Sequence, residues 1–150
     1  MKRKIIVDVI SYLIILLFLY TGINKIIAFT EFRFDISQSL GWNWGQIIAV
    51  IIPTAEILIS VGLLLPKTQH ASLFSAFLLM AIFTLYVTYM LLLVTPHNRA
   101  CTCGGILRQM SWQQHLVFNV AYTALGFMGY WLSRNRLRRI HAGSTVISLS

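Results

Sequence analysis

The chain has 150 residues, 57% of them hydrophobic and 11% charged, about half the charged share of a soluble domain. Arranged in long apolar runs, that composition excludes a soluble domain with its own core and puts the chain in the membrane class. Its net charge of +8 would suggest nucleic acid in a soluble protein, but the basic residues gather at the ends of apolar runs without aromatic interleaving on a polar face. They are read as topology and lipid-headgroup residues, with no nucleic acid partner.

The first predicted span covers about residues 5–28. Lys2, Arg3 and Lys4 precede it, but the apolar run is too long for a signal-peptide core and no small-residue cleavage site follows, so it is read as a retained span. At 1.5 Å per residue it reaches about 36 Å, enough to cross with some tilt. Asp8 is expected to pair with a basic neighbour. Lys25, beside Asn24 at the far end, is expected to snorkel to the interface, since contact with Glu56 would have to bridge a depth difference of roughly 9 Å. The stretch TEFRFDISQSLGWNWG is read as a polar loop, with Trp42 and Trp44 as interface anchors.

The second predicted span, about 46–65, ends at Pro66 and holds Pro53 and Glu56. An ionisable group at mid-depth is costly and therefore a functional candidate. Glu56 is either a protonated acid bonded to a neighbouring helix or a proton-handling or ligand-binding group. The link PKTQH is short enough only for a tight connection between antiparallel neighbours. The third span, about 71–94, carries no charge. A polar stretch from Thr95 to Met110 follows, then a fourth span at about 111–132. Ser111 and Gln114 have capping-box spacing and fix where that helix begins. His115, Asn119, Tyr122, Gly126 and Gly129 share one of its faces, which is expected to face the bundle; Leu116, Phe118, Val120, Leu125 and Phe127 are assigned to the opposite face. Residues 1–133 thus form one membrane domain, an all-α four-helix bundle, and 134–150 a basic, mobile tail.

Charge counting orients the bundle. Lys2, Arg3, Lys4, Lys67, Arg134, Arg136, Arg138 and Arg139 fall on one side, which is eight of the twelve basic residues. The positive-inside rule then places both termini in the cytoplasm and the stretch between spans three and four outside.

That outer stretch, HNRACTCGGILRQMSW, holds the two cysteines of the chain, Cys101 and Cys103. A disulfide braces a fold mainly by closing a long loop in the unfolded chain, and a bridge across one residue closes almost none. Its small ring strains the bond, and strained exposed disulfides are the labile ones. A Cys-x-Cys pair facing an oxidising compartment therefore suits exchange chemistry. Arg99 and Arg108 flank the pair and favour thiolate, the attacking form. Gly104 and Gly105 leave room for another protein's backbone. His115 is expected one turn below. The rival reading is a metal site built from His97, Cys101, Cys103 and His115, with Cys spacing narrower than zinc usually takes.

NKIIAFTEFRFDI after the first span, the P-x-x-E pattern of Pro53 to Glu56, and C-x-C-G-G before S-W-x-x-H-L-x-F-N together resemble the DoxX-like superfamily, in its MauE/DoxX redox-associated branch. The resemblance covers essentially the whole chain. Its specific part is Cys101, Cys103, Gly104 and Gly105 followed by Ser111, Trp112, His115 and Asn119. It implies a multi-pass protein of the bacterial inner membrane that helps a disulfide-rich periplasmic enzyme mature, with a thioredoxin-like protein as neighbour. DoxX relatives include a quinone-linked subunit, which makes quinone a candidate cofactor near His115 and Glu56. Quinone-coupled four-helix redox proteins of the vitamin K epoxide reductase type offer a mechanistic analogy, but they use a C-x-x-C pair and commonly a second, shuttling pair that this chain lacks.

The expected function is thiol–disulfide exchange by Cys101 and Cys103 with a periplasmic thioredoxin-fold partner or quinone. Arg99, Arg108, Gly104, Gly105, His115, Asn119, Glu56 and Lys25 support it. The alternatives are a non-enzymatic membrane assembly scaffold and a metal-handling protein.

Overall fold

A computed structural model describes residues 2–93 and 111–147. Among them are five α-helices: α1 Lys2–Ile27, α2 Phe29–Leu40, α3 Trp42–Leu64, α4 Gln69–Leu93 and α5 Trp112–Ile147. Four helical stretches are long and apolar enough to cross a membrane: Arg3–Ile27, Trp42–Leu64, Gln69–Leu93 and Gln113–Arg134. The molecule is an all-α, multi-pass membrane bundle.

The two faces of these helices differ as a lipid environment requires. Leu16 and Leu85 are 70% exposed and Leu92 75%; such side chains on every helix would be an aggregation surface in water and are ordinary against acyl chains. The inner faces meet in a core of Val7, Ile10, Ile14 and Phe18 from α1, Leu63 from α3, and Leu73, Ala76 and Met80 from α4. α4 packs most extensively on α5, and α1 on α3. Small residues set the closest approach. A Cβ on Gly126 would stand 3.2 Å from the Cα of Phe77, and one on Gly129 3.0 Å from Ile10. The expected stripe of α5 therefore does face the bundle, with His115, Asn119, Gly126 and Gly129 buried and Val120 and Phe127 exposed. Phe118 and Leu125 depart from their expected outward position. Both are half-buried and pack on the core, and Phe118 lies 4.7 Å from Tyr122 between ring centroids.

The polar loop expected after the first span is instead helix α2. Backbone hydrogen bonds from Ala28 N–H to Asn24 and from Phe32 N–H to Ala28 carry the ladder through a bend at Ala28. The chain turns only at Gly41, whose φ of +88° favours glycine. Phe32 and Ile36 of α2 bury against Ala49 of α3, with Phe29, Ile48 and Ile52 around them. Gly45 makes this contact feasible, because a Cβ there would overlap the backbone of Ser37. Trp42 and Trp44 are exposed beyond the turn.

α3 continues unbroken through Pro53. The tight link to α4 is closed by Thr68, whose hydroxyl donates to the Gly62 carbonyl at 2.7 Å and whose backbone N–H donates to Leu65 at 3.1 Å. At the start of α5 the capping box is formed reciprocally. Ser111 N–H donates to Gln114 Oε1 at 3.0 Å, and Gln114 N–H donates to Ser111 Oγ at 3.2 Å.

Candidate functional site

The bend at Ala28 decides where Lys25 lies. Because α2 follows directly after the bend, Lys25 in the last turn of α1 is followed by a further helix rather than by a polar loop. Its ammonium does not snorkel to the interface as expected. Lys25 Nζ donates to Glu56 Oε1 at 2.6 Å, with the two side chains 3% and 1% exposed. The expected depth difference of roughly 9 Å disappears because α3 begins alongside α2, well past the end of α1.

Two aromatic rings complete the surroundings of the ammonium. Phe32 of α2 and Phe83 of α4 have their centroids 5.7 Å and 5.5 Å from Nζ, within cation–π range. Gly22, one turn before Lys25 on α1, gives the carboxylate its place. A Cβ at that position would stand 3.3 Å from Glu56 Oε2. Oε2 itself is buried and accepts no hydrogen bond among the described residues.

The ion pair opens on a small cavity of about 20 Å³ lined by α1, α3, α4 and α5. Its polar wall is Thr21, Lys25, Glu56, His115 and Asn119; Phe18, Met80 and Phe83 are among the apolar residues. His115 and Asn119 are 4% and 5% exposed. Asn119 Nδ2 donates to the His115 carbonyl at 2.9 Å, and Thr21 spends its hydroxyl hydrogen on the Leu17 carbonyl at 3.0 Å. A cavity of this volume holds about one water molecule, which needs two to four polar partners. Glu56 Oε2 offers an unused acceptor and the Lys25 ammonium further donors.

Four of the residues singled out from sequence, Lys25, Glu56, His115 and Asn119, are thus brought together from three helices. Cys101, Cys103, Arg99, Gly104, Gly105, Arg108 and His97 lie outside the described residues. Of the alternative metal set, His115 alone is described, and no group of metal ligands occurs among the described residues. Sequence reasoning missed Thr21, Gly22, Phe32 and Phe83. Thr21 and Gly22 precede Lys25 at i−4 and i−3, the spacing that puts them on its face of the helix, and that was the available signal.

Comparison with known proteins gives one finding. The family model described as methylamine utilisation protein MauE matches residues 3–132. No curated protein matches the chain, and no solved structure does.

Proposed function

Since the chain belongs to the MauE family, we propose that it serves methylamine utilisation from the bacterial inner membrane, as a thiol–disulfide exchange protein placed within the wider DoxX-like superfamily. In this reading both termini are cytoplasmic and Cys101 and Cys103 face the periplasm. One thiolate attacks a disulfide of a thioredoxin-fold partner, forming a mixed disulfide and releasing a partner thiolate. The second cysteine then attacks its neighbour's sulfur, leaving a Cys101–Cys103 disulfide and a reduced partner. Two electrons and two protons pass to the partner, and the reverse sequence oxidises it.

The observation that carries the reading is the buried cluster at the end of the bundle where α5 begins. Ser111 caps that helix eight positions after Cys103, and His115 follows one turn later in the wall of the Lys25–Glu56 chamber. Each exchange step takes a proton from one sulfur and returns one to another. A desolvated ion pair and a histidine are costly in hydrocarbon, which makes them functional candidates, and proton handling is the part this reading assigns to them.

Trapping tests it. Membranes carrying Cys101→Ser or Cys103→Ser are quenched with acid, alkylated and searched for mixed disulfides. The proposal expects one single variant to accumulate a covalent adduct with a thioredoxin-fold protein. If neither does, and the wild-type pair never changes redox state, the exchange reading fails. Full activity of the double Cys101→Ser/Cys103→Ser variant would favour the assembly scaffold instead, and stoichiometric metal lost on His115→Ala would favour metal handling.

A further inference from the structure

A second cavity lies at the other end of the bundle and has no part in the exchange chemistry. It is a cleft of about 460 Å³ between the first turns of α1, the α3–α4 link and Ser133 of α5, a volume typical of small-molecule sites. Its walls change character with depth. Lys4 and Asp8 of α1 face Gln69 and His70 of α4 near the start of both helices, and Ile15 and Leu63 line it two turns further into the bundle.

The polar rim is held in place by its own hydrogen bonds. Gln69 Nε2 reaches Asp8 Oδ1 at 3.3 Å and Ser11 Oγ at 3.2 Å. His70 Nδ1 is 2.6 Å from Ser133 Oγ, and its ring stacks on Tyr130 with centroids 4.9 Å apart. Among the described residues Asp8 does not pair with the basic neighbour expected from sequence, and neither Lys4 nor Asp8 has an ion pair there, although they are four apart on one helix face. One positive and one negative group therefore stand about 6 Å apart along the helix axis, at the mouth of a cleft whose floor is apolar.

We propose that this cleft binds a phospholipid with a primary-ammonium headgroup, a phosphatidylethanolamine. The ammonium donates to the Asp8 carboxylate, the phosphodiester lies against Lys4, and an acyl chain runs along Ile15 and Leu63. The two-carbon spacer of the headgroup separates phosphate from ammonium by a distance the Lys4 and Asp8 side chains span. A purely anionic headgroup would satisfy Lys4 and meet repulsion at Asp8. A trimethylammonium headgroup has no N–H for the carboxylate, and Tyr12 with the already stacked His70 makes no aromatic cage for it. The apolar floor selects a lipid over the free headgroup.

The test is native mass spectrometry of the full chain released from nonionic detergent, titrated with phosphatidylethanolamine, phosphatidylcholine and phosphatidylglycerol of identical acyl chains. Glycerophosphoethanolamine serves as the soluble arm. The expected result is a phosphatidylethanolamine adduct favoured roughly tenfold over the other two, the size of one charge-assisted hydrogen bond. That preference disappears in Asp8→Asn, and Lys4→Gln weakens all three lipids. Glycerophosphoethanolamine does not displace the lipid at equal concentration. Equal binding of the three lipids by the wild type overturns the proposal, as does a preference that survives Asp8→Asn. Displacement by the soluble headgroup overturns the assignment to a lipid. The wild-type ranking decides the matter independently of how either variant folds.

Discussion

Replacing Glu56 with leucine tests the buried pair most sharply. The substitution leaves the Lys25 ammonium, whose side chain is 3% exposed, between Phe32 and Phe83 with no carboxylate. Removing one partner of a buried ion pair costs about 3–5 kcal/mol, which lowers the folded-to-unfolded ratio by roughly two to nearly four powers of ten. Lys25→Met should cost a similar amount, because both oxygens of Glu56 then lack a donor where one already does. The double variant Lys25→Met/Glu56→Leu removes both charges and fills the space with apolar atoms. Its expected stability lies between that of the wild type and about 1–4 kcal/mol above it. The assay is reversible unfolding in mixed micelles of dodecyl sulfate and nonionic detergent, followed by far-UV circular dichroism. The reasoning is refuted if both single variants stay within about 0.5 kcal/mol of the wild type, the range of an ordinary surface change. It is equally refuted if the double variant is as unstable as the worse single one.

Three further outcomes follow from the packing. Gly45→Val should detach α2 from α3, because its Cβ would overlap the Ser37 backbone; limited proteolysis should then cut near Gly41, and uncut protein under conditions that cleave α2 peptides would contradict this. Gly126→Leu should force α4 and α5 apart at Phe77 and cost about 1–3 kcal/mol as overpacking, read in the same micelle assay. Ser111→Ala removes the side-chain half of the capping box and should cost about 0.5–2 kcal/mol, while Ser111→Asp should retain most of that stability.

The spans were legible because hydropathy reports them directly, and the capping box because its spacing is local. The face of α5 was legible from its period, except at Phe118 and Leu125, which lie at the flank of the buried stripe where a helical wheel leaves the side undecided. Helix α2 escapes a hydropathy reading because Glu31, Arg33 and Asp35 make TEFRFDISQSL polar, and a polar stretch between apolar runs reads as a loop. Two signals argued otherwise. Phe29, Phe32 and Ile36 recur at helical spacing, and no glycine or proline interrupts the chain from Lys25 until Gly41. Ending the first span at Ala28 then put Lys25 at the interface and apart from Glu56. The error in one boundary became an error in a contact, which a sequence specifies only through how its helices pack.

The central claim is that Cys101 and Cys103 are an exchange pair, and their reduction potential in intact membranes tests it most directly. Equilibration of membranes with graded glutathione or dithiothreitol buffers, followed by alkylation of free thiols, gives the potential from the ratio of modified to unmodified chain. The account predicts a reversible two-electron couple above the structural range, which lies below about −300 mV. A pair that stays reduced or oxidised across all buffers, or one that titrates within the structural range, would contradict it.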